Sequence, residues 1–316
     1  MMHYPLPRIV ALAMVALVYA GSVMAEESPA AHPLSALMGP DGGLSNPSNW
    51  VNAETHQSAL PKTLEGYQLD TRGSWLIVSE LDADTTRRWG DIIATADAAL
   101  RKTYFSRAEN APTWICLFRD VTSYRRHAAE LWGQTAPSPY GYFSRTHRTL
   151  VCNAGTGPGT VIHELVHSLM HTDFTRAPIW LDEGLASLYE QCDLRHGGIR
   201  GMENWRYPEL RKAVEADTVP DLTRLFSMTA AEFCSKEGQS LHYALARYFC
   251  LYLEDHGAMG SVYDILRAGD GLLTGADAVT AALNKPLCDI ETDFRAWVLQ
   301  RNTPKAAPQD DTVASR

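Results

Sequence analysis

The chain has 316 residues, and 28 Lys and Arg against 37 Asp and Glu give it a formal net charge of -9. With 45% hydrophobic and 21% charged residues, its composition is that of a globular protein and excludes a collagenous, coiled-coil or wholly disordered chain. The acidic excess does not suit a phosphate backbone, so we expect no nucleic-acid partner.

Residues 1–25 have the pattern of a secretory signal peptide. A short start with one Arg and no acid precedes the apolar run at 9–20, and small residues before Glu26 fit a cleavage site. A membrane anchor is the alternative, but the run is shorter than the roughly 20 apolar residues that a span needs. We therefore expect an exported bacterial protein, periplasmic or secreted, without a membrane span in its mature chain.

Biased composition marks both ends of the remaining chain. Residues 26–68 are rich in Pro, Ser, Ala, Gly and Asn without a helical or alternating period, which is typical of a leader or linker. Residues 302–316 are polar and contain Pro, which predicts a disordered tail. We expect one ordered domain between them, over residues 69–301.

Apolar patterning predicts an α+β domain in which strands come first and helices later. Short apolar runs indicate strands, and apolar residues at helical spacing indicate helices, the first of them capped by Asp82 or Asp84. The predicted strands cover residues 75–78, 114–118, 140–143 and 149–152, and the predicted helices cover 82–105, 123–132 and 240–255, with almost continuous helix after residue 160.

The six cysteines allow two interpretations. In an oxidising compartment an even set favours disulfides, although spacing alone cannot choose the pairing; the alternative is that several are buried free thiols. No two form a CxxC pair, so neither a zinc ribbon nor a thioredoxin-type site is indicated. The six are Cys116, Cys152, Cys192, Cys234, Cys250 and Cys288.

The segment TVIHELVHSLMH, residues 160–171, carries the chemistry. His163 and His167 are four residues apart, which on a helix places them on one face, about 6 Å apart along the axis, so that two imidazoles can converge on one metal ion. Glu164 follows the first His and can reach a metal-bound water without binding the metal. The rest of this helix is apolar, and two His and a Glu on a buried helix are costly unless they have partners.

A catalytic zinc site needs a third protein ligand and an open position for water. His171 lies about 12 Å from His163 along the same rigid helix and cannot converge with it. Asp173 lies six residues after His167, where one class of zinc peptidases has its third ligand, but Met170 occupies the position of the turning glycine of that class.

Glu183 is the better candidate for the third ligand. Pro178 disfavours a continuous helix, and the segment WLDEGLA after it predicts a second helix that returns antiparallel to the first, with Glu183 16 residues after His167. The small residues Gly184 and Ala186 would allow close helix packing there. The alternative is that Glu183 is an ordinary first-turn Glu, favoured by the helix dipole.

HELVH followed at this distance by WLDEGLA resembles the gluzincin branch of the zinc metallopeptidases, the thermolysin-like group. Within it the chain is most similar to small exported bacterial peptidase MA-like proteins, and a softer similarity extends over residues 70–301. The resemblance implies a zincin-like catalytic domain, with a small N-terminal mixed sheet and an active-site helix followed by a mostly helical C-terminal half.

The resemblance also implies roles for individual residues. His163, His167 and Glu183 match the zinc ligands, and Glu164 matches the general base. One position departs from the pattern, because thermolysin-like enzymes have an Asp four residues after the ligand Glu to orient a zinc-bound His, and this chain has Ser187. The group that orients the histidines is therefore open.

The implied reaction is attack of a zinc-activated water on a carbonyl group, with Glu164 taking the proton. Tyr243 and His242 are candidates for a donor to the developing oxyanion, or else are ordinary core or surface aromatics. The strand at residues 140–143 is expected to bind an extended peptide by β-augmentation, or else its aromatics only pack the sheet.

Two functions follow. The first is an exported zinc metallopeptidase acting on a peptide or protein, or on another amide such as one in the cell wall. The alternative is a catalytically inactive zincin-fold protein that binds or scaffolds partners in the cell envelope. The presence of Glu164 favours the enzyme, because a structural zinc site does not need it.

Overall fold

Five strands early in the chain form a mixed sheet. The computed structural model describes residues 66–108, 113–132 and 135–301, so the predicted signal peptide, nearly all of the leader and the tail lie outside the described residues. The strands are β1 (Gln68–Arg72), β2 (Trp75–Ser79), β3 (Thr113–Phe118), β4 (Gly141–Ser144) and β5 (Thr149–Asn153). Their order is β1-β2-β3-β5-β4; β2, β3 and β5 are parallel neighbours, and β1 and β4 are antiparallel at the edges.

The second half is mostly helical, as the sequence predicts. The helices are α1 (Ala83–Thr103), α2 (Val121–Trp132), α3 (Pro158–Asp173), α4 (Ile179–Tyr189), α5 (Tyr207–Glu215), α6 (Leu222–Ser227), α7 (Ala230–Phe233), α8 (Gln239–Asp255), α9 (Met259–Gly269), α10 (Gly275–Leu283) and α11 (Leu287–Gln300). A two-stranded ribbon of β6 (Cys192–Asp193) and β7 (Arg200–Gly201) interrupts them. The fold is therefore α+β with a small mixed sheet on its N-terminal side. Across residues 66–108, 113–132 and 135–301, no helix has the length and apolar character to cross a bilayer.

The sheet is covered on both faces, which explains the continuous apolar runs of its central strands. All residues of β2, β3 and β5 are buried. Ile77, Ile115 and Leu150 face the core that contains α1 and α3, whereas Val78 and Cys116 face the smaller cluster that contains α2. The helix α3 thus lies directly against the sheet, which fixes the position of the HELVH segment.

One boundary differs from the prediction, and one of the two alternative helix caps is identified. The leader was expected to extend to residue 68, but β1 already pairs with β2 from Gln68 onward. Its sequence QLDTR is polar because an edge strand is half solvated, so it lacks the apolar run that marks the central strands. Of the two possible caps of α1, Asp82 is the N-cap, since its side chain accepts from the Thr85 N–H at 2.9 Å.

All six cysteines are free, which favours the interpretation as free thiols over the one with disulfides. Cys116 and Cys152 lie on neighbouring strands, but the register pairs Cys116 with Val151 and Leu117 with Cys152. The two thiols therefore project from opposite faces of the sheet, one into each hydrophobic cluster. Cys250 is likewise buried, so the interpretation as buried thiols holds for half of the set.

Glycines allow α4 to pack closely against its neighbours. A Cβ atom on Gly159 of α3 would lie 2.2 Å from the carbonyl oxygen of Glu190, which brings the start of α3 against the end of α4. A Cβ atom on Gly184 would lie 2.7 Å from the Cys250 Sγ and 3.1 Å from the Ala246 carbonyl oxygen of α8. The close packing predicted at Gly184 is confirmed, and its partner is α8.

We expect Gly184→Ala to destabilise the fold by about 1–3 kcal/mol, because the new methyl group overpacks the α4–α8 contact. Gly260→Ala is the matched control, since its Cβ meets nothing within 4 Å and it lies inside α9. Urea unfolding of the two variants measures the difference. Equal midpoints for Gly184→Ala and the control would contradict the close contact.

Candidate metal centre

The helices α3 and α4 bring together the three residues predicted as metal ligands. His163, His167 and Glu183 each offer one ligand atom, and these atoms lie within 4.8 Å of one another. The two Nε2 atoms are 3.1 Å apart, and Glu183 Oε2 lies 3.6 Å from that of His163 and 3.5 Å from that of His167. Two imidazole nitrogens and one carboxylate oxygen form a donor set that suits a catalytic zinc ion.

The Glu183 carboxylate carries a further indication of a cation. Its Oε2 atom is buried and has no hydrogen-bond partner, although it faces the Nε2 atoms of His163 and His167. Buried carboxylate oxygens normally accept hydrogen bonds, because an unsatisfied one costs free energy. An atom in this situation fits the role of metal ligand, and we infer that the three residues can hold a divalent ion.

Asp182 orients His167. Its Oδ1 lies 2.7 Å from His167 Nδ1, so the ring donates from Nδ1 and its Nε2 faces the other two ligands. Metal-binding histidines usually donate the other ring N–H to such a carboxylate. The sequence does contain a signal for this role, because Asp182 directly precedes the candidate ligand Glu183 on the same helix turn.

His163 faces a different carboxylate. Its Nδ1 lies 3.5 Å from Glu190 Oε2, and Glu190 follows Glu183 by seven residues, nearly two full helical turns, and so points to the same side of α4. Ser187, the position that departs from the resembled pattern, is fully buried and its Oγ has no hydrogen-bond partner. A carboxylate therefore faces His163 from about one helical turn beyond position 187.

The charges around the two imidazoles are strongly coupled. Burial would lower the pKa of His163, but Glu183 and Glu190 outweigh it and raise the pKa to about 9. Burial is likewise outweighed at His167, where Asp182 and Glu183 raise the pKa well above its ordinary value. In return the imidazoles hold the pKa of Glu183 far below its usual range despite its burial. The buried region between α3 and α4, here called the seam, therefore favours positive charge.

Glu164 lies beside the triad, between α3 and the edge strand β4. It is buried, and burial raises its pKa above the ordinary value. The backbone of Phe143 lies near its carboxylate, and a Cβ atom on Gly141 would come within 3.4 Å of its side chain. The glycine of the predicted YGYF strand therefore lets β4 approach the base candidate.

Tyr243 is the candidate donor that reaches the site. Its hydroxyl interacts with the carboxylate of Glu183 and with the thiol of Cys234, and burial followed by these neighbours raises the pKa of Tyr243 well above its ordinary value. The guanidinium of Arg206 lies 5.3 Å from the centre of its ring. His242 instead uses its Nδ1 in a hydrogen bond of 3.0 Å with the Phe233 carbonyl oxygen.

The alternative third ligand, Asp173, is committed elsewhere. Its fully buried carboxylate accepts hydrogen bonds from the Tyr263 hydroxyl at 2.6 Å and from Arg267 at 2.8 Å. These contacts connect the end of α3 to α9. His171, as expected, is not part of the triad, and its ring lies 6.1 Å from that of Phe143. Neither residue joins the candidate metal centre.

No protein-family model matches this chain, and no curated protein matches it either. The function of this chain is therefore inferred from the geometry of the site and from the chemistry of its side chains.

We expect Asp182→Asn to lower the pKa of His167 in the chelator-treated protein, because the attraction that offsets its burial is removed. An NMR titration of the imidazole protons measures the change. Asp293→Asn, at an exposed ion pair with Lys285, is the control and should leave His167 unchanged. An unaltered His167 pKa in Asp182→Asn would show that the 2.7 Å contact does not exist in solution.

Proposed function

We propose that this chain is an exported, zinc-dependent metallopeptidase of the gluzincin type, with a zincin-like domain that hydrolyses peptide bonds. One observation carries the proposal: His163, His167 and Glu183 converge from two helices, and the buried Glu164 lies beside them. The signal-peptide pattern of residues 1–25 supports export.

The three convergent residues would hold the zinc ion. When bound, zinc lowers the pKa of a coordinated water to about 7 and polarises a carbonyl oxygen. His167 is prepared for this role by Asp182, which holds its Nδ1 and leaves Nε2 for the ion. The acidic surroundings offset the charge of a dication that is bound in a buried seam.

Glu164 has the properties of the general base. It is adjacent to the ligand His163 but is itself outside the triad. Its raised pKa brings the carboxylate closer to the pKa range of a base that works near neutrality. The backbone of Phe143 lies beside the carboxylate, and a proton accepted there would be passed to the leaving amine.

Tyr243 would donate a hydrogen bond to the oxyanion that develops on the substrate. Its raised pKa keeps the hydroxyl protonated, and its interaction with Glu183 places it at the metal ligands. A donor fixed in a buried site stabilises developing charge more than water does.

The strand β4 would bind the peptide main chain. It lies at one edge of the sheet and pairs only with β5 among the described strands. A peptide that adds to its free edge would run past Glu164, since β4 contacts that residue through Gly141 and Phe143. The scissile bond of such a peptide would then lie near the base.

We expect Glu164→Gln to keep one zinc per chain but to lose peptide cleavage by about 10²-fold or more, because the metal ligands remain and the base is removed. Glu183→Ala should lose zinc as well. Metal analysis combined with a peptide-library digest of the purified protein separates the two effects, and Glu215→Gln, at a surface pair with Arg211, is the control. Wild-type activity in Glu164→Gln would refute the mechanism, and zinc without cleavage in the wild type would favour a scaffolding role.

We expect Tyr243→Phe to lower kcat by about 10²-fold while KM and zinc content stay near the wild-type values, since the hydroxyl would bind the substrate oxygen mainly in the transition state and is not itself a zinc ligand. Steady-state kinetics with one good peptide from the digest tests this. An unchanged kcat would return Tyr243 to a packing role.

A further inference from the structure

We propose that Glu190 is a positioning residue for His163, and that Arg206 and Asn204 hold it in place. This inference rests on the proposed metal centre, and it names a three-residue support of one ligand that the motif does not contain. It also links that support to Tyr243 through Arg206.

The imidazole of His163 has one unsatisfied nitrogen. Its Nδ1 is buried and lacks a hydrogen-bond partner, and Glu190 Oε2 lies 3.5 Å from it. This distance is that of an ion pair, and a shift of about half an ångström would make it a hydrogen bond. When Nε2 binds a metal ion, Nδ1 must carry the proton, and Glu190 is placed to accept it.

The other carboxylate oxygen of Glu190 is bound by two residues from outside α4. Its Oε1 accepts from the Asn204 side-chain amide at 3.0 Å and from the Arg206 Nε at 3.3 Å. Asn204 is itself buried, and its backbone N–H donates to the Tyr248 hydroxyl of α8 at 3.0 Å. The carboxylate is therefore fixed from outside its own helix, and only Oε2 is left for His163.

Arg206 lies between Glu190 and Tyr243. It pairs with Glu190, and its guanidinium carbon lies 5.3 Å from the centre of the Tyr243 ring. A planar guanidinium can bind a carboxylate and stack on an aromatic ring together. Arg206 therefore supports the orientation of His163 and the ring of Tyr243 at once.

The arrangement gives each imidazole its own carboxylate. Asp182 holds His167 at 2.7 Å, and Glu190 faces His163 from the far end of α4. Loss of such a partner typically weakens metal binding 10–100-fold, because the ring is free to rotate or to change tautomer. We assign the same cost to the loss of Glu190.

The test is zinc affinity, measured by competition with a chromophoric chelator, together with the absorption spectrum of the Co²⁺-substituted protein. We expect Glu190→Ala to weaken zinc binding about 10–100-fold and to alter the cobalt bands, and Glu190→Gln to weaken it less, since an amide oxygen still accepts from Nδ1. Glu215→Gln is the matched control. Urea unfolding of the metal-free variants checks that each is folded. If Glu190→Ala does not fold, Glu190→Gln provides the test.

A double-mutant cycle tests the support by Arg206. Arg206→Gln should weaken zinc binding in the wild-type background and should add little in the Glu190→Gln background, because both act through the same contact. Fully additive effects, or wild-type zinc affinity in folded Glu190 variants, would overturn the inference while leaving the proposed function intact. Absence of zinc binding by the wild-type protein would instead overturn the proposed function, and the inference with it.

Discussion

Burial of ionisable groups between α3 and α4 is the constraint on which the rest of the structure depends. Two imidazoles and the carboxylates of Glu164, Asp182, Glu183 and Glu190 share this seam, all largely shielded from water. Isolated buried charges cost several kcal/mol each, so such a group persists only where its members compensate one another. The pairs His167–Asp182 and His163–Glu190 achieve this in part, and a bound cation would complete it.

The surrounding structure keeps that seam closed and in register. Gly159 lets the start of α3 meet the end of α4, and Gly184 lets α4 meet α8. Arg247 of α8 is fully buried and donates to the carbonyl oxygens of Ser187, Leu188 and Met202. These carbonyls include the unpaired ones at the end of α4, where a positive charge also complements the helix dipole. Glu190 therefore lies on a helix end that is held from two sides.

The parts of this molecule that can be predicted from the sequence are those with local signals. The central strands β2, β3 and β5 are apolar runs, and α3 carries its motif in consecutive residues, so both could be predicted. The strand β1 could not be predicted in this way because a half-solvated edge strand needs no apolar run. The free state of Cys116 and Cys152 could not be predicted either, because the faces on which they lie follow from strand register, which local composition does not specify.

The orientation of the candidate ligands could not be predicted from the sequence for a related reason. Which acid faces which imidazole depends on the antiparallel alignment of α3 and α4, and this pairs the late residue Glu190 with the early residue His163. Arg206 and Asn204 come from a loop after β7, and their position depends on α8 through Tyr248. Contacts between segments distant in sequence decide these details, so no single window of the chain contains them.

The length of β4 limits what its edge can do. A strand of four residues presents hydrogen-bonding groups on its outer side from only about two of them, because successive residues alternate in direction. An open edge is a template for unwanted pairing between copies of a protein, and short edge strands are one way in which proteins avoid aggregation. The same brevity restricts how much affinity a guest strand gains from the main chain. If β4 binds a peptide as proposed, discrimination between peptides would then come from their side chains.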